Sequence, residues 1–331
     1  MSRNRFFDYV AVGHVTADVI AANGSRRPGG GAFYSALQAA RLGLRALILT
    51  QGSTPELEAL LAPHRDELEL RIVPAEATTT FATSWPGGRR SQRVLAWAGP
   101  ILGPIEVDTR ILHFAPVARE TPAGWRGHTD FVGLTPQGLA RTWESRAARA
   151  ATSDTRRGAT DEDPASTAGA GGELRNAMLS SDSLDSLLPR GCNAVVISEQ
   201  ERAACAPLLD VAMAQGAVIA ITAGQGATTV KTPPGEATAG EEDENERARR
   251  SGGRTVHVQT SPVTAALDDL GAGDVFAAAF FVALHEGLPP VRAAAFANAA
   301  AAVRIEGVGA DAIGGRHAIE ERLTGAGERR R

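Results

Sequence analysis

Lysine is almost absent from this chain: of its 34 basic residues only Lys231 is a lysine. A P-loop needs a lysine directly after its glycine-rich run, and no such match exists. A Schiff-base enzyme needs one too, and Lys231 falls in a polar, loop-like stretch. Cysteine is scarce as well. Cys192 and Cys205 lack any zinc-type spacing and read as reduced, buried thiols of a cytoplasmic protein. No run approaches the ~18 apolar residues of a membrane span. The N-terminus leads straight into the strand pattern Tyr9-Val10-Ala11-Val12, so no signal peptide is expected. Net charge is -4, and the one basic cluster, Arg329-Arg330-Arg331, sits in a fraying terminus. Neither nucleic acid nor a membrane is therefore an expected partner.

What is present suits one large α/β domain: 331 residues, 43% of them hydrophobic. Short apolar runs at Tyr9–Gly13, Arg45–Thr50, Ile111–Phe114, Phe131–Leu134, Ala194–Ser198 and Val218–Thr222 read as strands. They alternate with helical patterns at Gly31–Leu42, Pro136–Ala148, Gln200–Ala214, Ala272–His285, Val291–Ile305 and Arg316–Leu323. That alternation predicts a doubly wound sheet with helices on both faces, spanning 1–331 as a single domain. From Leu68 to Ala98 three strand patterns follow one another without a helix, around the turn Pro86-Gly87-Gly88. They predict a small antiparallel β lid over 68–98. Residues 149–172 and 232–253 have no apolar period and read as polar, disordered insertions without a catalytic role.

The most informative stretch is Asp268-Asp269-Leu270-Gly271-Ala272-Gly273-Asp274-Val275-Phe276. Glycine lets backbone N–H groups turn toward a ligand, and a helix N-terminus adds unpaired donors and partial positive charge. The helix that follows is small and apolar all round, so it is buried and its N-terminus opens from the centre of the fold. Asp274 places a carboxylate beside whatever anion the turn holds. An anion cradle next to a general base is what phosphoryl transfer to a hydroxyl requires. A capping aspartate would produce the same four residues, so the motif alone leaves both readings open.

Taken in order with the rest of the chain, this stretch resembles the second signature of the ribokinase / PfkB carbohydrate kinase family, D-T-x-G-A-G-D-x-F, with Asp269 in place of threonine. The first signature, a glycine pair running into a helix that ends in R-L-G, matches Gly29-Gly30-Gly31 through Arg41-Leu42-Gly43. The resemblance implies a ribokinase-like sheet and an ATP-dependent kinase acting on a hydroxyl of a sugar or polyol. It implies Asp274 as the base, with Gly271, Ala272 and Gly273 as the anion hole. Asp18, Gly29 and Gly30 fall on the acceptor side, with Tyr34 where sugar kinases of the family carry asparagine. Glu201 matches the glutamate of the family's N-x-x-E magnesium motif, with Ser198 for the asparagine. A glutamate favoured by the helix dipole is the plainer alternative there. Thr222, Gly224 and Gly226 match the turn along the nucleotide, and Asn298 the asparagine beside the adenine, unless it only packs the helix.

ATP and Mg²⁺ are the implied cofactors. A monovalent cation joins them because the segment around Asp269 shapes such a site in some members; the extra carboxylate there either strengthens it or abolishes it. The run Thr78-Thr79-Thr80-Phe81 with Gln92 to Ile101 resembles the inositol-kinase-like branch more than ribokinase. The lid arginines Arg89, Arg90 and Arg93 suit an anionic substrate or a solvated surface. A nucleoside kinase is the rival within the family, with Phe33, Tyr34, Phe81, Trp85 and Trp97 as candidate stacking partners. A non-catalytic sugar or nucleotide sensor is the rival outside it. An exposed lid edge offers a route to a homodimer.

Overall fold

The computed structural model describes residues 6–88, 91–122, 124–143, 172–180, 184–234 and 253–328. Its main body is built on strand β1 (Phe7–Val12). The chain then leaves for two strands of a second sheet, β2 (Thr16–Ile20) and β3 (Arg26–Gly29), and returns through helix α1 (Gly31–Arg41). Strand β4 (Ala46–Gly52), helix α2 (Thr54–Leu61) and strand β5 (Leu68–Pro74) complete one side of the main sheet. The hairpin β6 (Thr80–Ser84) and β7 (Ser91–Ala96) goes back to the second sheet. Strands β8 (Ile105–Phe114), β9 (Trp125–Leu134) and β12 (Cys192–Ser198) lead through the main sheet; between the last two lie the short strands β10 (Arg141–Thr142) and β11 (Arg175–Asn176), which pair only with each other. Helix α3 (Arg202–Ala214) and strands β13 (Val218–Thr222), β14 (Thr228–Thr232) and β15 (Arg254–Val258) follow. Helices α4 (Ala272–His285), α5 (Pro290–Ile305) and α6 (Arg316–Glu328) close the chain.

The nine-stranded sheet runs β15-β14-β13-β12-β9-β8-β1-β4-β5. From β5 to β13 every pair is parallel; β14 and β15 add antiparallel pairs at one edge. Alternate residues feed two cores. Tyr9, Ala11, Ile48, Ile111, Val196 and Ala220 face the cluster that includes α1, α4 and α5. Val10, Val12, Leu47, Leu112, Val195 and Ile219 face the cluster that includes Leu208 and Ala212 of α3. This is the doubly wound arrangement expected from the alternation, with parallel strands buried on both faces. Helix α4 is apolar all round, and Val275 to Ala283 are all buried, so its N-terminus does open from the fold's interior. Both cysteines are buried and unpaired, and burial pushes both thiols up to about 12. Among the described residues no helix is long and apolar enough to cross a membrane.

Several expected boundaries differ. The lid is a four-stranded sheet, β3-β2-β6-β7, that draws β2 and β3 from before α1. Its β2–β6 pair is parallel and its other pairs are antiparallel. The Leu68–Val73 pattern, assigned to the lid because no helix separates it from the next strands, instead forms β5, the edge strand of the main sheet, paired with β4 from Ala46↔Leu68 to Gly52↔Pro74. Alternation gives a half-buried strand but not the sheet that receives it. No long helix begins at Pro136: a single 3₁₀ turn (Pro136–Gly138) ends where the Gly138 N–H donates to Pro116 O at 3.1 Å, and β10 follows. Residues 144–148 of that expected helix lie outside the described residues, as do Arg89, Arg90 and nearly all of the two polar insertions. Lys231 is on strand β14, not in a loop.

One buried polar chain crosses the first core. Tyr9 Oη lies 2.7 Å from His113 Nδ1, and His113 Nε2 lies 3.1 Å from Thr135 Oγ1. Burial pushes the His113 imidazole down to about 3 from 6.5. The folded state then binds fewer protons than the unfolded state between those values, so stability falls as pH drops from about 6.5 toward 3. At full titration the loss is on the order of 4–5 kcal/mol. Urea unfolding at neutral and mildly acidic pH checks this: the acid loss is expected to shrink in His113→Gln, and an unchanged loss would assign it to other groups.

Candidate active site

The site is built around the turn that starts α4. Gly271, which precedes the helix, has φ 78°, a left-handed conformation that favours glycine. A Cβ on Gly271 would lie 2.3 Å from Cγ of Tyr34, whose ring lies against the turn. Tyr34, expected at the acceptor, is 2% exposed and sits behind the turn, where burial raises its hydroxyl to about 12. Within the first turn, Ala272 donates its N–H to Asp269 O (3.1 Å), while Asp274 and Val275 donate theirs to Gly271 O (3.1 and 2.9 Å). Gly273 is exposed and Asp274 half-buried, so the turn opens to solvent at these two residues.

The glycine run before α1 comes up against this turn. A Cβ on Gly31 would lie 3.0 Å from Asp274 Oδ1 and 3.2 Å from Cβ of Ala115, the residue just after β8. A Cβ on Gly29 would lie 2.4 Å from Asp18 Oδ2, and one on Gly30 2.2 Å from His14 O. The run is thus glycine because two carboxylates and a carbonyl occupy the space of its side chains. Asp18 is 2% exposed and accepts from Thr16 Oγ1 at 2.9 Å. Ser35 of α1 donates its hydroxyl to Asp274 O at 3.3 Å, which ties the two helices together behind the site. Asp18, Gly29, Gly30, Asp274, Gly271 and Tyr34, read separately along the sequence, therefore form one cluster at the carboxyl ends of β1 and β8.

A second group lies at the carboxyl ends of β12 and β13. Ser198 pairs with Thr222, and Glu199 donates its N–H to Thr222 O at 2.8 Å. Gly224 (φ 60°) and Gly226 form the turn from β13 to β14. Glu201 stands at the N-terminus of α3 and is buried; its Oε1 accepts from Gln137 Nε2 at 2.9 Å. Its Oε2 and the Ser198 Oγ are buried with no hydrogen-bond partner. Glu201 also lines a polar cleft of about 510 Å³ with Gln92 of the lid, Gln137, Arg141 and Arg175. Asn298 sits differently from the other candidates. Its Oδ1 accepts from Thr228 Oγ1 (2.8 Å) and its Nδ2 donates to Gln259 O (3.2 Å), so both ends of its amide pin α5 to the sheet edge.

Two charged groups escaped the sequence reading. Arg304, at the C-terminal end of α5, is completely buried; it reaches Asp268 and Leu270, the two sides of the turn's entry. Asp268 itself accepts from Leu270 N, Gly309 N and Arg304. Burial works against its charge, but these donors outweigh burial and hold its carboxyl below the usual range. Glu120 is the other: its buried carboxylate accepts the N–H groups of His14, Val117 and Ala118, joining the turns after β1 and β8 under the glycine run. An arginine ending an apolar helix and an acid in a short loop have no spacing that marks them. The threonine run proves to be the root of the lid: Thr79 Oγ1 lies 2.8 Å from His14 Nδ1 and accepts from Ala98 N at 2.9 Å.

No curated protein matches the sequence. Among solved structures, the fold is similar to a pyrophosphate-dependent kinase in the ribokinase family complexed with a pyrophosphate analog and myo-inositol. The identity is 16% and the TM-score 0.63, over 95% of this chain and 99% of that one. It is equally similar to Arabidopsis thaliana ribokinase complexed with ribose and ATP (16%, TM-score 0.63, 96% and 99% covered). A Methanocaldococcus jannaschii nucleoside kinase matches at 15% identity and TM-score 0.60, over 96% and 98%. Residues 153–313, which include the Gly271 turn, match the family model described as pfkB family carbohydrate kinase. Residues 153–313 are thus similar to the pfkB family of carbohydrate kinases, and the chain folds as the ribokinase-family kinases do.

Proposed function

We propose that the protein transfers the γ-phosphoryl group of ATP to a hydroxyl of a sugar or polyol. One observation carries the reading: Asp274 and Asp18 both lie against the Gly29–Gly31 run, and Asp274 stands in the first turn of the helix whose N-terminus forms the candidate anion hole. Asp18 accepts hydrogen bonds from hydroxyls of the acceptor and fixes one of them toward Asp274. Asp274 takes the proton of that hydroxyl as its oxygen attacks the γ-phosphorus, whose bond to the β,γ-bridging oxygen breaks to release ADP. The charge building on the transferred group is met by the turn's backbone, where the N–H groups of Gly271 and Gly273 are not committed inside it, and by the positive end of α4.

Mg²⁺ fits Glu201. A buried carboxylate oxygen and a buried hydroxyl, Ser198 Oγ, without protein partners are what an ion that keeps most of its waters needs from the chain. When bound, it neutralises charge on the phosphates of the donor. Glu201→Gln is expected to raise the magnesium concentration for half-maximal activity about tenfold or more, in keeping with loss of a carboxylate ligand. An unchanged magnesium titration would remove Glu201 from the metal. Thr222, Gly224 and Gly226 bound the donor side; Gly224 has open space around it.

The rival acceptor, a nucleoside, needs an accessible ring to stack on its base. Phe33, Tyr34 and Phe81 are buried in the cores, while Trp97 donates its Nε1–H to Ala118 O and packs on Trp143. That leaves Trp85, 41% exposed at the end of β6. A panel of sugars, inositols and nucleosides, run with ATP and separately with pyrophosphate, tests the reading. Turnover of a sugar or polyol with ATP is the expected result. Turnover with pyrophosphate alone would replace the donor, and tight binding of one compound without turnover would favour a sensor. A homodimer through the lid has the β3 edge to use, because Gly172–Leu174 of the same chain already bonds along β7.

A further inference from the structure

Arg304 has a setting unlike any other charge among the described residues. It is 0% exposed, and four oxygens converge on its guanidinium. Nη1 donates to Asp268 O (3.2 Å) and Gly307 O (3.3 Å); Nη2 donates to Leu270 O (2.7 Å) and Asp268 Oδ2 (3.2 Å). Three backbone carbonyls and one carboxylate make a cage of hard oxygens around one positive charge. Backbone carbonyls that replace a hydration shell are how proteins hold bare monovalent cations. Here the cation is covalently part of α5. Asp269 does not join the cage: it is exposed, and its carbonyl goes to Ala272 N.

The cage also touches the reacting turn. Leu270, whose carbonyl takes the shortest of the four bonds, immediately precedes Gly271. The guanidinium lies 5.6 Å from the centroid of Tyr34, the ring that packs on Gly271. The same charge thus holds the turn from its entry and from behind. Removing it would leave three carbonyls and the Asp268 carboxylate around a space with no counter-charge inside, apart from Arg27 at 3.4 Å from Asp268 Oδ2.

We propose that Arg304 is a tethered cation that sets the geometry of the α4 turn in place of a monovalent ion from solution. It acts through the turn, as a positioning residue. Turnover is then independent of the monovalent cation supplied, and a protein without the guanidinium recruits one. The turnover part rests on the kinase reading above; the recruitment part does not.

Two measurements test it. The wild-type protein is compared in sodium, potassium and tetramethylammonium chlorides at constant ionic strength. Its thermal unfolding is expected to stay within about 2 °C, and its turnover within about twofold. Arg304→Ala is then followed by thermal unfolding as guanidinium (low millimolar) or potassium is added. A saturable rise in Tm absent from the wild type is expected, as for any ligand bound only by the folded state. Turnover, lowered about 10²-fold as for a lost cradle donor, should recover over the same concentration range. Arg304→Lys, which keeps the charge, should fall between the two. Potassium activation of the wild type by fivefold or more would overturn the proposal, as would a folded Arg304→Ala protein that no cation stabilises. Should that variant not fold, the wild-type comparison decides alone. Should no acceptor be turned over, the unfolding arm still decides, and only the kinase reading fails.

Discussion

Asp274→Asn is expected to lower kcat by about 10²–10⁴-fold, the usual worth of a positioned general base, while leaving donor affinity and thermal stability nearly unchanged. The amide has the shape of the carboxylate, so it fits the gap against Gly31, where a Cβ would already stand 3.0 Å from Oδ1. Ser35 bonds the backbone oxygen of Asp274, and that bond survives the substitution. What changes is the ability to take a proton, plus one negative charge in the first turn of α4. As a helix-dipole effect that charge is worth about 0.3–1 kcal/mol under either reading of the residue, so turnover separates the two. If Asp274 only supports the helix start, the variant loses a little stability and keeps its turnover. If it is the base, the same small loss of stability is accompanied by a collapse of turnover. Steady-state kinetics beside nucleotide titration and thermal unfolding distinguish these, and a variant as active as the wild type ends the proposed mechanism.

How much of this was legible before the structure depended on the kind of signal each residue carried. Helix α4 and its turn were readable because a run of small apolar residues behind two glycines admits few other folds. The run before α1 was readable as a motif, but its physical reason was not. Only the geometry reveals that Asp18, His14 and Asp274 fill the space over Gly29, Gly30 and Gly31. Strands β2, β3, β14 and β15 went unread because they are short, and all but β2 are polar or half exposed. The outer halves of β8 and β9 went unread for a related reason: Glu106, Arg110, Arg126 and Asp130 decorate a pair that runs on beyond the apolar core. Asn298 was singled out because a polar residue in an apolar helix needs a partner. It has two, and both are protein. The same argument, applied to the arginine six residues further on, leads to the oxygen cage.

Gly271→Ala is expected to be the most damaging change of a single methyl group, and Gly273→Ala is its control. At Gly271 the backbone is left-handed (φ 78°), and the new Cβ would lie 2.3–2.5 Å from three atoms of the Tyr34 ring. The ring has little room to retreat, since it is 2% exposed and has the Arg304 guanidinium over its face. The turn must move instead, taking the Leu270 carbonyl off Arg304 and tilting the N–H groups of the proposed anion hole. Backbone strain and overpacking together are expected to cost about 2–4 kcal/mol of stability, and misaligned donors about 10²-fold or more in kcat. Tyr34→Leu added to Gly271→Ala removes the steric part but not the strain, so the double variant should recover part of the stability. A coupling of about 1 kcal/mol or more is within the range for residues in contact. At Gly273, by contrast, a Cβ meets nothing within 4 Å. Gly273→Ala should fold as well as the wild type, or slightly better as alanine replaces glycine in the helix's first turn. Its loss of turnover then measures only the closeness with which the transferred phosphoryl group approaches the backbone. Full activity of Gly273→Ala would move the anion away from this turn, and full activity of Gly271→Ala would mean that its left-handed geometry does not matter to catalysis.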